Sequence, residues 1–458
     1  MAAFPTGIES RTGKTLTPEE IFEIQRVREV GLSRLLMLYI VTGLAFMLLP
    51  GTFLGVWNLI SISNRHAALS VSPSWIQAHG HAQIFGWIGT FILGIGFYSI
   101  PKLRRMEPFA LGVGSATWLL WTAGVTLRWL TTVYLYHWRL LLPISSTMEL
   151  LAFGLFFHAV SGHKLVESKS GPTLEKARFE SWVLVVLAAT FGFMGMLLAN
   201  VGAAFYLALR GASPAFPAEF DQRYLALAAW GFMVPFVWGF SAKWLPIFLG
   251  LKPPRTRLLL ATTALNGAGV VAALVGHFHV AAALLLGAAA LSSVALRLWE
   301  ATQQPAKTKF VHPSYPVFIR IAYVWLAIAA ALGIWAAITN SPGTWGGSRH
   351  ALTVGFIATM VFSVGQRVLP AFSGMRLLFS PRLMAVSLVL LTIGCMLRVS
   401  SEILAYQEYS AAAWNWLPGS AVIELSAVTV FAVNLFCTFL RPPVIPAVQP
   451  VNPAVHTA

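Results

Sequence analysis

Charge is scarce in this chain. Only 10% of its 458 residues are Asp, Glu, Lys or Arg, where a soluble domain carries about 25%. With 57% hydrophobic residues and a mean hydropathy of +0.72, a water-soluble globule is excluded and a multi-pass membrane protein is indicated. Cysteine is nearly absent: Cys395 and Cys437 are the only two. Each lies in an apolar stretch and reads as a small core residue. No C-x-x-C-H is present to attach a c-type haem, and no C-x-x-C pair to hold a metal. No polar block is long enough for a separate soluble domain. The first 30 residues have no early apolar core, so no cleavable signal peptide is expected.

What the chain has in abundance is apolar stretches of spanning length, for which about 20 residues suffice. Twelve can be read, starting near Leu35, Trp75, Phe109, Leu142, Ser181, Tyr224, Leu258, Val280, Val317, Gly347, Leu383 and Gly419. The expectation is an all-α polytopic fold: a membrane domain over 35–440, an amphipathic N-terminal segment over 1–34 and a tail over 441–458. Thr17-Pro18-Glu19-Glu20 has the pattern of an N-cap, a first-turn proline and first-turn acids. A short helix lying on the membrane surface is expected there.

The net charge of +15 does not mark a nucleic-acid surface, because it is distributed by side. Lys102, Arg104, Arg105, Lys252, Arg255 and Arg257 exemplify the richly basic side, which also holds both termini. The opposite loops have few basic residues, Arg65, Arg139, Arg210, Arg223 and Arg349 among them. By the positive-inside rule both termini are expected to be cytoplasmic.

One segment occurs twice. HAQIFGWIGTFILGIGFYSIP runs from His81 to Pro101 and HALTVGFIATMVFSVGQRVLP from His350 to Pro370, with seven of 21 positions identical. They fall on predicted helices 2 and 10. A weaker copy on helix 6 ends at Pro246, with Gly231-Phe232 placed like Gly86-Trp87 and Gly355-Phe356, and with Ala226 where the others have histidine. The matching continues: GVTLR ends at Arg128 on helix 3, GCMLR at Arg398 on helix 11, and Glu149 and Glu424 follow on helices 4 and 12. The chain therefore reads as three parallel units of four helices, which argues against inverted repeats of the transporter kind.

This topology puts His81, His350, Arg128, Arg398, Glu149, Glu424 and His277 in the outer half of the membrane. Ionisable residues there are costly and mark function by default. Two histidines on separate helices at one depth suit axial ligation of a haem. The plainer alternative is a histidine that only bonds a backbone carbonyl. Arg128 and Arg398 suit haem propionates, or simply pair with Glu149 and Glu424. Gly86 and Gly355 admit either a flat macrocycle or a neighbouring helix. His79 precedes His81 by two, so the two rings point to different faces of a helix. His277 and His279 form an H-x-H at a turn, where copper or zinc can bind, although no third ligand is visible. A cofactor-free transporter with proton-relaying histidines is the competing reading.

HGHAQIFGW, GFSAKWLP and HALTVGFIATMVFSVGQRVLP resemble the three signature stretches of the NnrS family, over roughly Trp75 to Glu424. Two departures stand out: Gln83 where that family has an acid, and Lys243 where it has arginine. The resemblance implies a protein of the bacterial inner membrane with haem, here b-type, and copper, linked to nitric oxide and nitrosative stress. The pattern is also similar to subunit I of the haem–copper oxidases and nitric-oxide reductases, with twelve spans in three four-helix arcs. In that family histidines of helices 2 and 10 hold the low-spin haem, and His81 and His350 match. Its catalytic centre needs further histidines where this chain has Ala226 and Ser348, so oxygen reduction by the usual route is not expected. The expected function is haem ligand binding or electron transfer in the nitric oxide response, with a quinol or a cytochrome as donor. The alternative is a degenerate respiratory oxidoreductase acting on nitric oxide. Whether His81 and His350 share one iron stays open.

Overall fold

The computed structural model describes residues 17–67, 70–103, 109–161 and 180–443. Arg104, Arg105 and most of both termini lie outside the described residues.

Among the described residues, twelve long helices carry the chain. α1 joins Pro18–Phe46, a π-helical stretch Met47–Phe53, and Leu54–Arg65. Then come α2 (Pro73–Leu103), α3 (Leu111–Tyr134), α4 (Trp138–Ser161), α5 (Ser181–Arg210) and α6 (Ala218–Leu249). α7 (Thr256–Leu274), α8 (Phe278–Ala295), α9 (Tyr315–Thr339), α10 (Pro342–Phe372), α11 (Pro381–Tyr406) and α12 (Ala413–Leu440) complete the bundle. Eleven of these are long and apolar enough to cross a membrane. The twelfth, α3, is diluted by Gly, Thr and Trp but is 24 residues long, enough for a span. Helices satisfy every backbone group within the segment, as a lipid environment demands. The chain is a multi-pass membrane protein.

The expected start at Thr17 is present. Its side chain accepts from Glu20 N–H, and the Glu20 carboxylate accepts from Thr17 N–H. The separate surface helix is not. With no proline between Pro18 and Pro50, the first helix runs straight into the span. Pro50 lacks the N–H that the α pattern needs, and the ladder shifts there to a π stretch.

The three-unit repeat is visible in the backbone. α2, α6 and α10 each contain a π-helical stretch: Ala82–Gly89, Leu227–Met233 and Ala351–Ala358. Each begins one residue after the repeat's first position, His81, Ala226 or His350. The third and fourth helices of each unit, α3 with α4, α7 with α8, and α11 with α12, pack extensively along each other. π stretches inside helices are rare and concentrate at functional sites.

At the opposite end of α6, Lys243 bonds Glu180 at 2.6 Å. That bond, and a second from Trp182 Nε1, hold the Glu180 carboxyl below its usual range. A depressed carboxyl stabilises the fold above the ordinary carboxylate range and loses that contribution as pH falls through the lowered value. Both groups are partly exposed, so screening keeps the pair below about 1 kcal/mol. Glu180→Gln should therefore lower the unfolding temperature slightly at neutral pH and by less in acid, as a thermal scan at several pH values checks.

Candidate functional site

Two polar sites lie at corresponding places in the first and third units. In the first, His81 Nε2 stands 2.8 Å from Glu149 Oε1. Glu149 is fully buried, and its other oxygen accepts from Asn200 Nδ2 of α5 at 3.0 Å. The imidazole stacks on Phe85 one turn along, with centroids 4.2 Å apart. Phe85 in turn lies against Trp121 of α3. A Cβ at Gly124 would lie 3.0 Å from Glu149 Cγ and from Ser145 O, so glycine gives α4 the room to bring this carboxylate in. One turn beyond, Arg128 is 3% exposed. Its guanidinium covers the Phe216 ring, and its Nη1 has no partner.

The third unit repeats the plan. A Cβ at Gly394 would lie 2.7 Å from Glu424 Cγ, and Arg398 follows one turn on. The histidine, however, chooses a different acid. His350 Nδ1 is 2.9 Å from Glu402 Oε2 and 2.9 Å from Gly346 O. Arg398 Nη2 is 3.5 Å from that same carboxylate oxygen, and reaches His350 Nε2 only at 3.4 Å. Glu424 lies among His350, Arg398 and Glu402, with its Oε1 buried and unpartnered. The second unit has Ala226 at this position and, among the described residues, no such cluster. Ala226 and Ser348 instead border an alanine-rich cavity of about 110 Å³ between α6, α8, α9 and α10.

His79, also on α2, turns away from the first-unit site and packs against α1. Two residues from His81, it faces the other way. Its Nδ1 is 2.9 Å from Gly51 O in the π stretch of α1. A Cβ at Gly55 would meet its Cε1 at 2.7 Å, so α1 offers the ring a glycine-walled seat. His350 and Arg398 are within electrostatic reach.

The remaining sequence candidates separate. Gly86 receives Phe46 of α1, 2.8 Å from the Cβ it lacks, and Gly355 receives Trp325 of α9 at 2.5 Å. These glycines admit a neighbouring helix. His277 and His279 are exposed at the α7–α8 turn. Among the described residues, no three or more His, Cys, Asp or Glu gather as a possible metal cage. Arg398 pairs with Glu402 of its own helix rather than with Glu424. Sequence reading missed Glu402 and Asn200. The spacing of Arg398 and Glu402 by four, ideal for a helical ion pair, was the available signal for the first. For the second it was an asparagine set alone in an apolar span.

Residues 35–442 match the family model described as NnrS protein. The chain belongs to the NnrS family. No curated protein sequence matches it. A solved structure of a haem–copper terminal oxidase dimer is similar in fold, with a TM-score of 0.66. The likeness covers 90% of this chain and 85% of that one at 11% sequence identity. At that identity the likeness is one of architecture. Family membership and a haem–copper-oxidase-like fold, both expected from the repeat and its signature stretches, hold.

Proposed function

We propose that this NnrS-family protein is a b-type haem protein of the bacterial inner membrane that acts in the response to nitric oxide. The observation that carries the reading is the setting of His350. Its Nδ1–H is donated to Gly346 O, with the Glu402 carboxylate 2.9 Å away at ion-pair distance, and its Nε2 accepts only a long hydrogen bond from Arg398. An imidazole oriented through Nδ1 by a carboxylate and a carbonyl is how proteins present Nε2 to a metal. A lone imidazole without a cage of protein ligands suits an iron whose equatorial positions a macrocycle fills. Arg128, with its orphaned Nη1, and Arg398 supply cationic partners for propionates.

The haem would supply an iron that binds a diatomic ligand or changes oxidation state. The chain's own residues anchor the histidine, neutralise the acidic edge of the group and keep water from its apolar surroundings. A quinol or a cytochrome is the donor such a centre takes if it turns over. Copper at His277 and His279 has no geometric support beyond the two exposed rings.

The test is a visible spectrum of the detergent-purified protein, oxidised and reduced, before and after nitric oxide. A Soret band that shifts with the gas is expected. Absence of the band after expression with ample haem overturns the reading and brings the transporter alternative forward.

A further inference from the structure

We propose that His79, not His81, is the axial partner of His350, which rests on the haem reading above. The decisive difference is which ring nitrogen is already engaged. In His79 and His350 it is Nδ1, the nitrogen nearer the backbone, bonded to Gly51 O in one and to Gly346 O in the other, where Glu402 stands at ion-pair distance. Among the described residues, neither ring has its Nε2 on a carboxylate, and that of His350 accepts only a long hydrogen bond, 3.4 Å, from Arg398 Nη2. In His81 the outward Nε2 is the engaged atom, 2.8 Å from Glu149. To ligate a metal through Nε2, His81 would have to abandon a fully buried carboxylate and leave it with Asn200 alone.

Direction agrees with bonding. His81 turns toward α4 and α5, where Glu149 and Asn200 wait. His79 turns toward α1 and has His350 and Arg398 in electrostatic reach. Side chains two apart on a helix cannot share a face, so only one of the pair can look into the third-unit site. Gly55 is the complementary feature, since any side chain there would collide with the His79 ring. The repeat therefore carries a displaced correspondence. His81 matches His350 by position and by the π stretch that follows, but the ring engaged through Nδ1 as His350 is lies two residues earlier. His81 and Glu149 then form a structural pair in the first unit.

The test uses haem-loaded full-length protein and reads spin state, not turnover. Electron paramagnetic resonance and visible spectra of the ferric wild type should show a six-coordinate low-spin haem. His79→Gly should convert it to a five-coordinate high-spin form, and added imidazole should restore the low-spin signal through the vacated seat. His81→Ala should keep the low-spin signal in whatever folded protein is recovered. A low-spin signal lost in His81→Ala and retained in His79→Gly overturns this assignment and leaves the haem reading intact. A wild type whose haem is five-coordinate overturns the pair alike, whereas a wild type without haem overturns both.

Discussion

Gly192→Ala is expected to be among the most damaging single-methyl additions in this protein. The Cβ it introduces on α5 would sit 1.9 Å from Gly231 O and 2.5 Å from Gly231 C. Both are backbone atoms of the π-helical stretch in α6, so no rotamer change relieves the clash. The two helices must separate or the π stretch must rewind. Overpacking a core ordinarily costs about 1–3 kcal/mol; with backbone on both sides, the upper end or beyond is expected here. Gly202→Ala on the same helix is the control, because its Cβ would meet nothing within 4 Å. Replacing a helical glycine by alanine there should help by up to about 1 kcal/mol. Unfolding midpoints in one detergent decide the matter. Equal midpoints for the two variants would mean that α5 and α6 do not approach as closely as Gly192 and Gly231 indicate.

The close α5–α6 contact was invisible in the sequence, and the reason is instructive. The repeat was legible because His, Gly and Pro recur at fixed spacing, and a four-helix period follows from counting apolar stretches. The Gly-x-x-x-Arg of α3 and α11 was legible in the same way. It proved to be the seat of Glu149 and Glu424, with glycine opening the space and arginine one turn beyond. Helix rotation was not legible. A sequence match assigns His81 to His350, but which wall of α2 faces α10 depends on packing against α1, which Gly51 and Gly55 determine from outside the repeat. Partners supplied by other helices, such as Asn200, are lost for the same reason. The N-terminal helix was mistaken in its extent, not its start: capping is local chemistry, whereas the absence of a stop becomes plain only where the helix continues.

The two units also make an energetic prediction, because their matched acids are used differently. Glu149 is fully buried and serves both His81 and Asn200. Glu149→Ala strands two buried polar groups in an apolar bundle. Removing one partner of a buried pair costs about 3–5 kcal/mol, so a steep fall in the unfolding midpoint, or loss of recoverable protein, is expected. Glu149→Gln keeps an acceptor in place and should cost about half as much or less. Glu424, at the corresponding place in the third unit, has an unpartnered Oε1; its burial opposes the charge, and the attraction of His350 and Arg398 is partly offset by Glu402. Glu424→Ala should therefore cost no more than about 1 kcal/mol, since it deletes an unsatisfied group instead of creating one. His350 keeps Glu402 in either case. If Glu424→Ala proves as harmful as Glu149→Ala, Glu424 has a partner in the folded protein, and the third-unit site is built around that acid as well as Glu402. If the costs separate as expected, the first unit uses its histidine and acid to hold the bundle together. The third unit then carries an acid that the fold itself does not need.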